Sequence, residues 1–183
     1  MRWPWTHDRD DHLIADLASF LGESPQQVRR RTMATASGPR DAAVALREGL
    51  ALRAAGSGEA ASGGRELQWP EVRSGSWDGE TATLRVTTLE DERLAVQLSE
   101  PGRLPEVFVD RVQASLLVEE RVKVPGGEVL VSGRRQPAGV GPSGEGHAIV
   151  WHAMAIGPAD LNDPEVSRLV LATTARLRAD YEL

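Results

Sequence analysis

The sequence predicts an α+β protein: an open antiparallel β-sheet of about five strands, with a C-terminal helix packed on one face and a three-helix N-terminal segment on a flexible linker. Three observations predict it. Apolar residues recur at helical spacing in the first 55 residues, a run of small residues (GSGEAASGG) interrupts the chain at 56–64, and alternating apolar and polar residues dominate from residue 82 onward. The expected organisation is a helical segment over 1–55, a Gly/Ser/Ala-rich linker over 56–64 and an antiparallel α+β domain over 65–183.

Leu13, Ile14, Leu17, Phe20 and Leu21 form the apolar stripe of a first helix, with Asp8, Asp10 and Asp11 in a first turn that favours negative charge and Gly22 as its C-terminal cap. Ser24, Pro25 and Gln27 have the spacing of a capping box with proline at the first helical position. This second helix is expected to run to Ser37-Gly38. Pro39 and Asp41 then begin a third, with Ala43, Leu46, Leu50 and Ala54 as a thin stripe. About 50 residues with such narrow stripes make a marginal independent core, so the helices are expected to dock back across the linker.

Trp69 and Trp77, with Pro70 and Gly75 between them, suggest an irregular lead-in to the sheet. Ala82, Leu84 and Val86 alternate with polar residues, and Leu94, Val96 and Leu98 repeat the pattern after Glu90-Asp91-Glu92, which predicts a hairpin. Pro105 opens a short helix carrying Val107, Phe108 and Val112. A second hairpin turns at Pro125-Gly126-Gly127, joining Leu116, Val118, Val122 and Val124 to Val129 and Val131. Residues 147–156, HAIVWHAMAI, are apolar on both alternating faces, as befits a central strand covered on both sides. Asp163 caps a last helix whose inward stripe is Val166, Leu169, Val170, Thr173 and Leu177.

Composition excludes several classes of chemistry. With no cysteine, the chain has no disulfide, thiolate metal site, iron–sulfur cluster or cysteine nucleophile. The N-terminus lacks the apolar run of a signal peptide, and no stretch reaches the length of a spanning helix, so a soluble cytoplasmic protein without membrane contact is expected. The formal net charge of −6 resides in the α+β part, while residues 1–55 carry a net +1. An acidic domain is a poor phosphate-binding surface, so nucleic acid, if bound, must meet the first segment.

That segment holds the one compact cationic cluster, Arg29, Arg30 and Arg31, on a short second helix in the outline of a helix-turn-helix, with Gln26 and Gln27 near its start. Three successive arginines point in different directions around a helix, which favours a solvated or carboxylate-pairing face. Arg134 and Arg135, at a hairpin end, are a second candidate for binding anions. Trp3 and Trp5 flank Pro4 near the chain start, where a tryptophan can mark a partner contact. His147 follows Gly146 at a strand end, and Trp151 lies on the doubly apolar strand. His147 and His152 face opposite sides of a strand, and His7 and His12 are five apart on a helix, so neither pair has good metal-ligand spacing. Neither a metal nor another cofactor is expected. No Gly-x-Ser-x-Gly elbow is present, and Gly139-x-Gly141-x-x-Gly144 opens no helix that could cradle phosphate.

The reading that best fits these residues is a non-catalytic protein-interaction module, an adaptor or assembly piece engaging another protein or its own copy. The first alternative is a DNA-binding regulator that uses Arg29, Arg30 and Arg31 and senses a ligand through its α+β domain. The second is a small-ligand-binding protein or small enzyme with a pocket between sheet and helix, using His147, Trp151 or Arg134.

Overall fold

The structure, a computed structural model, describes residues 6–53, 64–135 and 149–181. The chain forms two compact units that meet in sequence at Gln113 and Ala114.

The first unit opens with α1 (Thr6–Leu21) and α2 (Pro25–Arg31). Gly22, at a φ of +68°, ends α1; the Glu23 N–H reaches back to the Ala18 carbonyl, a closure that glycine permits without a Cβ clash. Ser24 caps α2 in the expected reciprocal arrangement with Gln27. α2 then stops at Arg31, six residues short of the expected Ser37, and Thr32–Ser37 is β1. The predicted third helix does not form either. Its residues make β2 (Ala42–Leu46) and β3 (Gly49–Arg53), an antiparallel hairpin that turns at Arg47 and Glu48.

β4 (Gly64–Gln68) pairs with β3 across residues 54–63, giving a four-stranded sheet in the order β1-β2-β3-β4. Both strands belong to the first unit. A 3₁₀ turn over Trp69–Glu71 leads into β5 (Val72–Asp78), whose pairing with the next strand shifts register between Val72 and Ser74, so an irregular lead-in is present but a strand follows it. β5, β6 (Thr83–Thr88) and β7 (Arg93–Gln97) form a three-stranded sheet, and β6 and β7 are the predicted first hairpin. α3 (Leu104–Ser115) begins beside the predicted Pro105.

The two sheets share one core. Leu50, Leu52 and Leu67 from the first meet Val72, Leu84, Val86 and Val96 from the second, with Trp69 of the 3₁₀ turn between them and Leu104 and Phe108 of α3. On the opposite side of the four-stranded sheet, Ile14, Ala18 and Val28 of the helices pack on Val44, Leu46 and Ala51. Every residue of β2 is consequently buried. Trp69 fastens the arrangement: its indole N–H donates to the Leu46 and Arg47 carbonyls, both at 3.1 Å, and its ring meets Phe108 edge-on with centroids 6.1 Å apart.

The second unit contains β8 (Leu116–Val124), β9 (Gly127–Arg134), β10 (Val150–Ile156) and α4 (Pro164–Tyr181). The predicted turn at Pro125-Gly126-Gly127 joins β8 to β9, and Gly126 supplies a φ of +83° there. Asp163 caps α4 as expected, its carboxylate accepting from the Glu165 and Val166 N–H groups. Val166 and Leu177 of α4 are buried with Val129 and Val131 of β9. The sheet order is β10-β9-β8, so the doubly apolar strand expected at the centre lies at an edge. Hairpin connectivity explains this, because β9 is flanked by its two sequence neighbours and leaves the last strand outside.

The single expected sheet is thus replaced by three antiparallel sheets of four, three and three strands among the described residues. Trp69 tests how the first unit is assembled. Trp69→Phe, which removes the N–H shared by two carbonyls, should cost about 1–3 kcal/mol, and Trp69→Ala about 3–5 kcal/mol. Urea denaturation followed by circular dichroism measures both. A loss below about 0.5 kcal/mol for the alanine variant would contradict the role assigned to this side chain.

Candidate binding groove

The sequence-predicted site residues do not converge. Trp3, Trp5 and His147 lie outside the described residues. Arg29 pairs with Asp11 at 2.6 Å, and Arg30 is exposed. Arg31 is ringed by carboxylates: Glu23 at 2.6 Å, Glu66 at 3.6 Å, and Glu48, which contacts its Nε. These glutamates come from the α1–α2 turn, β4 and the β2–β3 turn, so Arg31 ties the helices to two places on the four-stranded sheet. Gln27 is occupied in the helix cap.

In the second unit Arg134 is buried near the end of β9, where its Nη1 donates to the Ser115 hydroxyl at 3.1 Å. Burial pushes its basicity down, and Glu119 partly restores it. The exposed Arg135 donates its backbone N–H to the Ser115 carbonyl. Trp151 lies over Gly133, where a Cβ would come within 2.9 Å of the indole ring. Trp151 and Gly133 are paired across the strands, and Arg134 projects to the other face. Arg134 and Trp151 therefore serve different faces of one sheet.

A concave surface exists elsewhere, in the first unit. The buried row of α1, Ile14 and Ala18, presses on the four-stranded sheet, while Leu13 and Leu17 stand half-buried on its flank and Phe20 remains 47% exposed. Between this flank and the strands lies a groove of about 390 Å³, floored by Ala42, Val44 and Ala51. It continues into a wider cleft of about 990 Å³ that shares Leu13, Asp16, Ala42 and Arg53 with it. The cleft runs to the place where Ser37 of β1 bridges Glu100, with His12, Asp41 and Gly102 around it.

Charge is graded along this surface. The Leu17 and Phe20 end is apolar. Midway, Arg53 bonds Asp16 at 2.8 Å, both side chains more than half exposed. At the far end stand Asp41, whose Oδ2 accepts the Gln97 N–H at 2.7 Å, and Glu100. Sequence reasoning missed this set because Asp16, Arg53 and Asp41 come together only once 42–53 is a hairpin lying under α1. The one available signal was Phe20, an apolar residue widening the α1 stripe beyond what a single buried row needs.

Comparison of the chain with protein-family models, with curated proteins and with solved structures finds no match in any of the three. Among the described residues no helix is long and apolar enough to cross a membrane.

The Arg31 cluster yields a pH prediction. Glu66 lies above the ordinary glutamate value of 4.5 because burial, reinforced by Glu48, Glu23 and Glu71, outweighs the attraction of Arg31. The folded state therefore holds the proton more tightly, and the stability this confers is complete below the ordinary value and lost as pH rises through the raised one. Glu66→Gln should accordingly be more stable than the parent at pH 7, with an advantage that shrinks on acidification through that window. Paired urea melts at several pH values measure the difference; a variant destabilised at pH 7 would show that the attraction to Arg31 dominates instead.

Proposed function

We propose that the protein is a non-catalytic protein-interaction module whose binding surface is the groove beside α1. The observation that carries this reading is the half-exposed flank of Leu13, Leu17 and Phe20 above an apolar floor, in a unit whose other large apolar side chains are mostly buried. Clefts of this size, apolar with a few placed charges, are where ligands gain buried area together with orientation. The expected partner contact thus moves from the doubly apolar strand to the first helix.

The competing readings gain little from the geometry. Arg29 and Arg31 are engaged by carboxylates of their own unit, and α2, with 7 residues, leads straight into a strand, a poor design for a helix that must enter a groove of DNA. Val129, Val131, Val166 and Leu177 are buried together between α4 and its sheet, where the second alternative would need a small-ligand pocket.

Site-specific photo-crosslinking in cells tests the proposal. A photoreactive phenylalanine analogue placed at position 20 should give discrete protein adducts. The same group at Leu171, which is 66% exposed on α4, should give far fewer. Equal yields at both positions, or none at 20, would remove the basis for assigning a partner surface to this groove.

A further inference from the structure

The two sheets of the first unit end in the strands β1, β4, β5 and β7, and three of these edges are guarded. An open edge offers a row of N–H and C=O groups to any strand that arrives, so natural sheets cover it, charge it or bend it. β1 is closed at its Ser37 end, where the Ser37 N–H donates to the Glu100 carbonyl at 3.2 Å and the Glu100 N–H returns a bond at 2.9 Å. β7 meets Asp41, whose carboxylate accepts the Gln97 N–H, and Gly38, where a Cβ would fall 1.9 Å from the Gln97 carbonyl oxygen. β4 carries Arg65 and Glu66, paired with Glu92 at 3.0 Å and with Arg31 at 3.6 Å.

β5 is different. Among the described residues its one strand neighbour is β6, and Ser74, Gly75 and Ser76 are all exposed. The stretch from Ser74 to Trp77 holds no charge and no proline. Its register shift ends at Ser74, and from there to Asp78 the ladder with β6 is regular. Gly75 faces the core, since a Cβ there would lie 2.4 Å from Phe108 Cζ. Ser74 and Ser76 therefore project to solvent, and both are small.

We propose that β5 pairs antiparallel with β5 of a second copy of the chain, joining two three-stranded sheets into one about a two-fold axis at Gly75. The register that pairs the whole strand, Val72 to Asp78 against itself, sets Ser74 opposite Ser76 of the second copy on the solvent face, twice by symmetry. Arg73 then lies opposite Trp77, and Asp78 opposite Val72, so no like charges face each other. Charge is what favours a second copy in this orientation. The strand carries one cation and one anion near opposite ends, and antiparallel self-pairing keeps each away from its own kind, whereas an in-register parallel pair would stack like on like. No residue of β5 lines the groove beside α1, so this contact goes beyond the interaction reading and does not rest on it.

The full chain is followed over a dilution series by sedimentation velocity and by backbone amide NMR shifts. It should be monomeric at about 5 µM and increasingly dimeric toward about 500 µM, because a short strand pair with little apolar cover is a weak contact. The shifts that move with concentration should centre on residues 73–78. Ser74→Lys/Ser76→Lys sets like charges opposite one another and should weaken dimerisation at least about 10-fold. Ser74→Lys/Ser76→Glu sets opposite charges there and should dimerise at least about 10-fold more tightly than the first variant. Both positions are exposed, so the two variants are expected to keep the parent's fold, which circular dichroism checks. A monomer at every concentration, concentration-dependent shifts centred outside β5, or equal dimerisation of the two variants would overturn the proposal.

Discussion

A strand buried on both faces must be covered twice, and β2 imposes that requirement on the whole first unit. Ala42 to Leu46 are each no more than 3% exposed. One set of side chains, Ala43 and Ala45, enters the core shared with the three-stranded sheet; the other, Val44 and Leu46, supports α1 and α2. Small side chains on the first face let the sheets approach closely, and larger ones on the second seat Ile14 and Val28. Trp69 and Arg31 then secure the two sides, one by hydrogen bonds to the end of β2 and the turn after it, the other by its ion pairs to Glu23 and to Glu48 of the β2–β3 turn. The groove follows from this packing. A helix set down on its Ile14–Ala18 row leaves the Leu13–Leu17–Phe20 row facing the strands at an angle, and space remains between them.

Where local chemistry alone decides an element, the sequence was readable. Asp163 and Ser24 stand at helix starts in the roles their side chains dictate, Gly22 ends a helix through its lack of one, and the turns at Glu90–Glu92 and Pro125–Gly127 place two hairpins correctly. Residues 39–54 misled for a physical reason. Alanine and leucine favour helix intrinsically, and a run apolar on both faces matches helical and strand periodicities equally well. Only the partners, β1 and β4 on the edges and apolar layers above and below, settle it as a hairpin. The same rule misplaced β10: its two apolar faces suggested a central strand, yet β9, with fewer large residues, took the middle by connectivity.

The candidate site was less legible than the fold. Arginine clusters stand out in a sequence, but Arg31 is engaged by three glutamates, two of them 17 and 35 residues further along the chain, and Arg134 is buried beside Ser115. Trp151 covers Gly133, a packing role that its residue type did not disclose. The groove residues were ordinary in sequence: a leucine stripe, an aspartate in a helix, an arginine at a strand end. Their juxtaposition depends on β3 passing beneath α1, which no local pattern encodes.

Amide hydrogen exchange under native conditions probes the central claim, that β2 and β3 form a doubly covered centre. The amides of Val44, Ala45, Leu50 and Leu52 are predicted to exchange only through global opening of the first unit, on the order of 100-fold or more slower than those of Ser74 and Ser76 on the exposed strand β5. Exchange at these four positions as fast as at Ser74 and Ser76 would contradict the account.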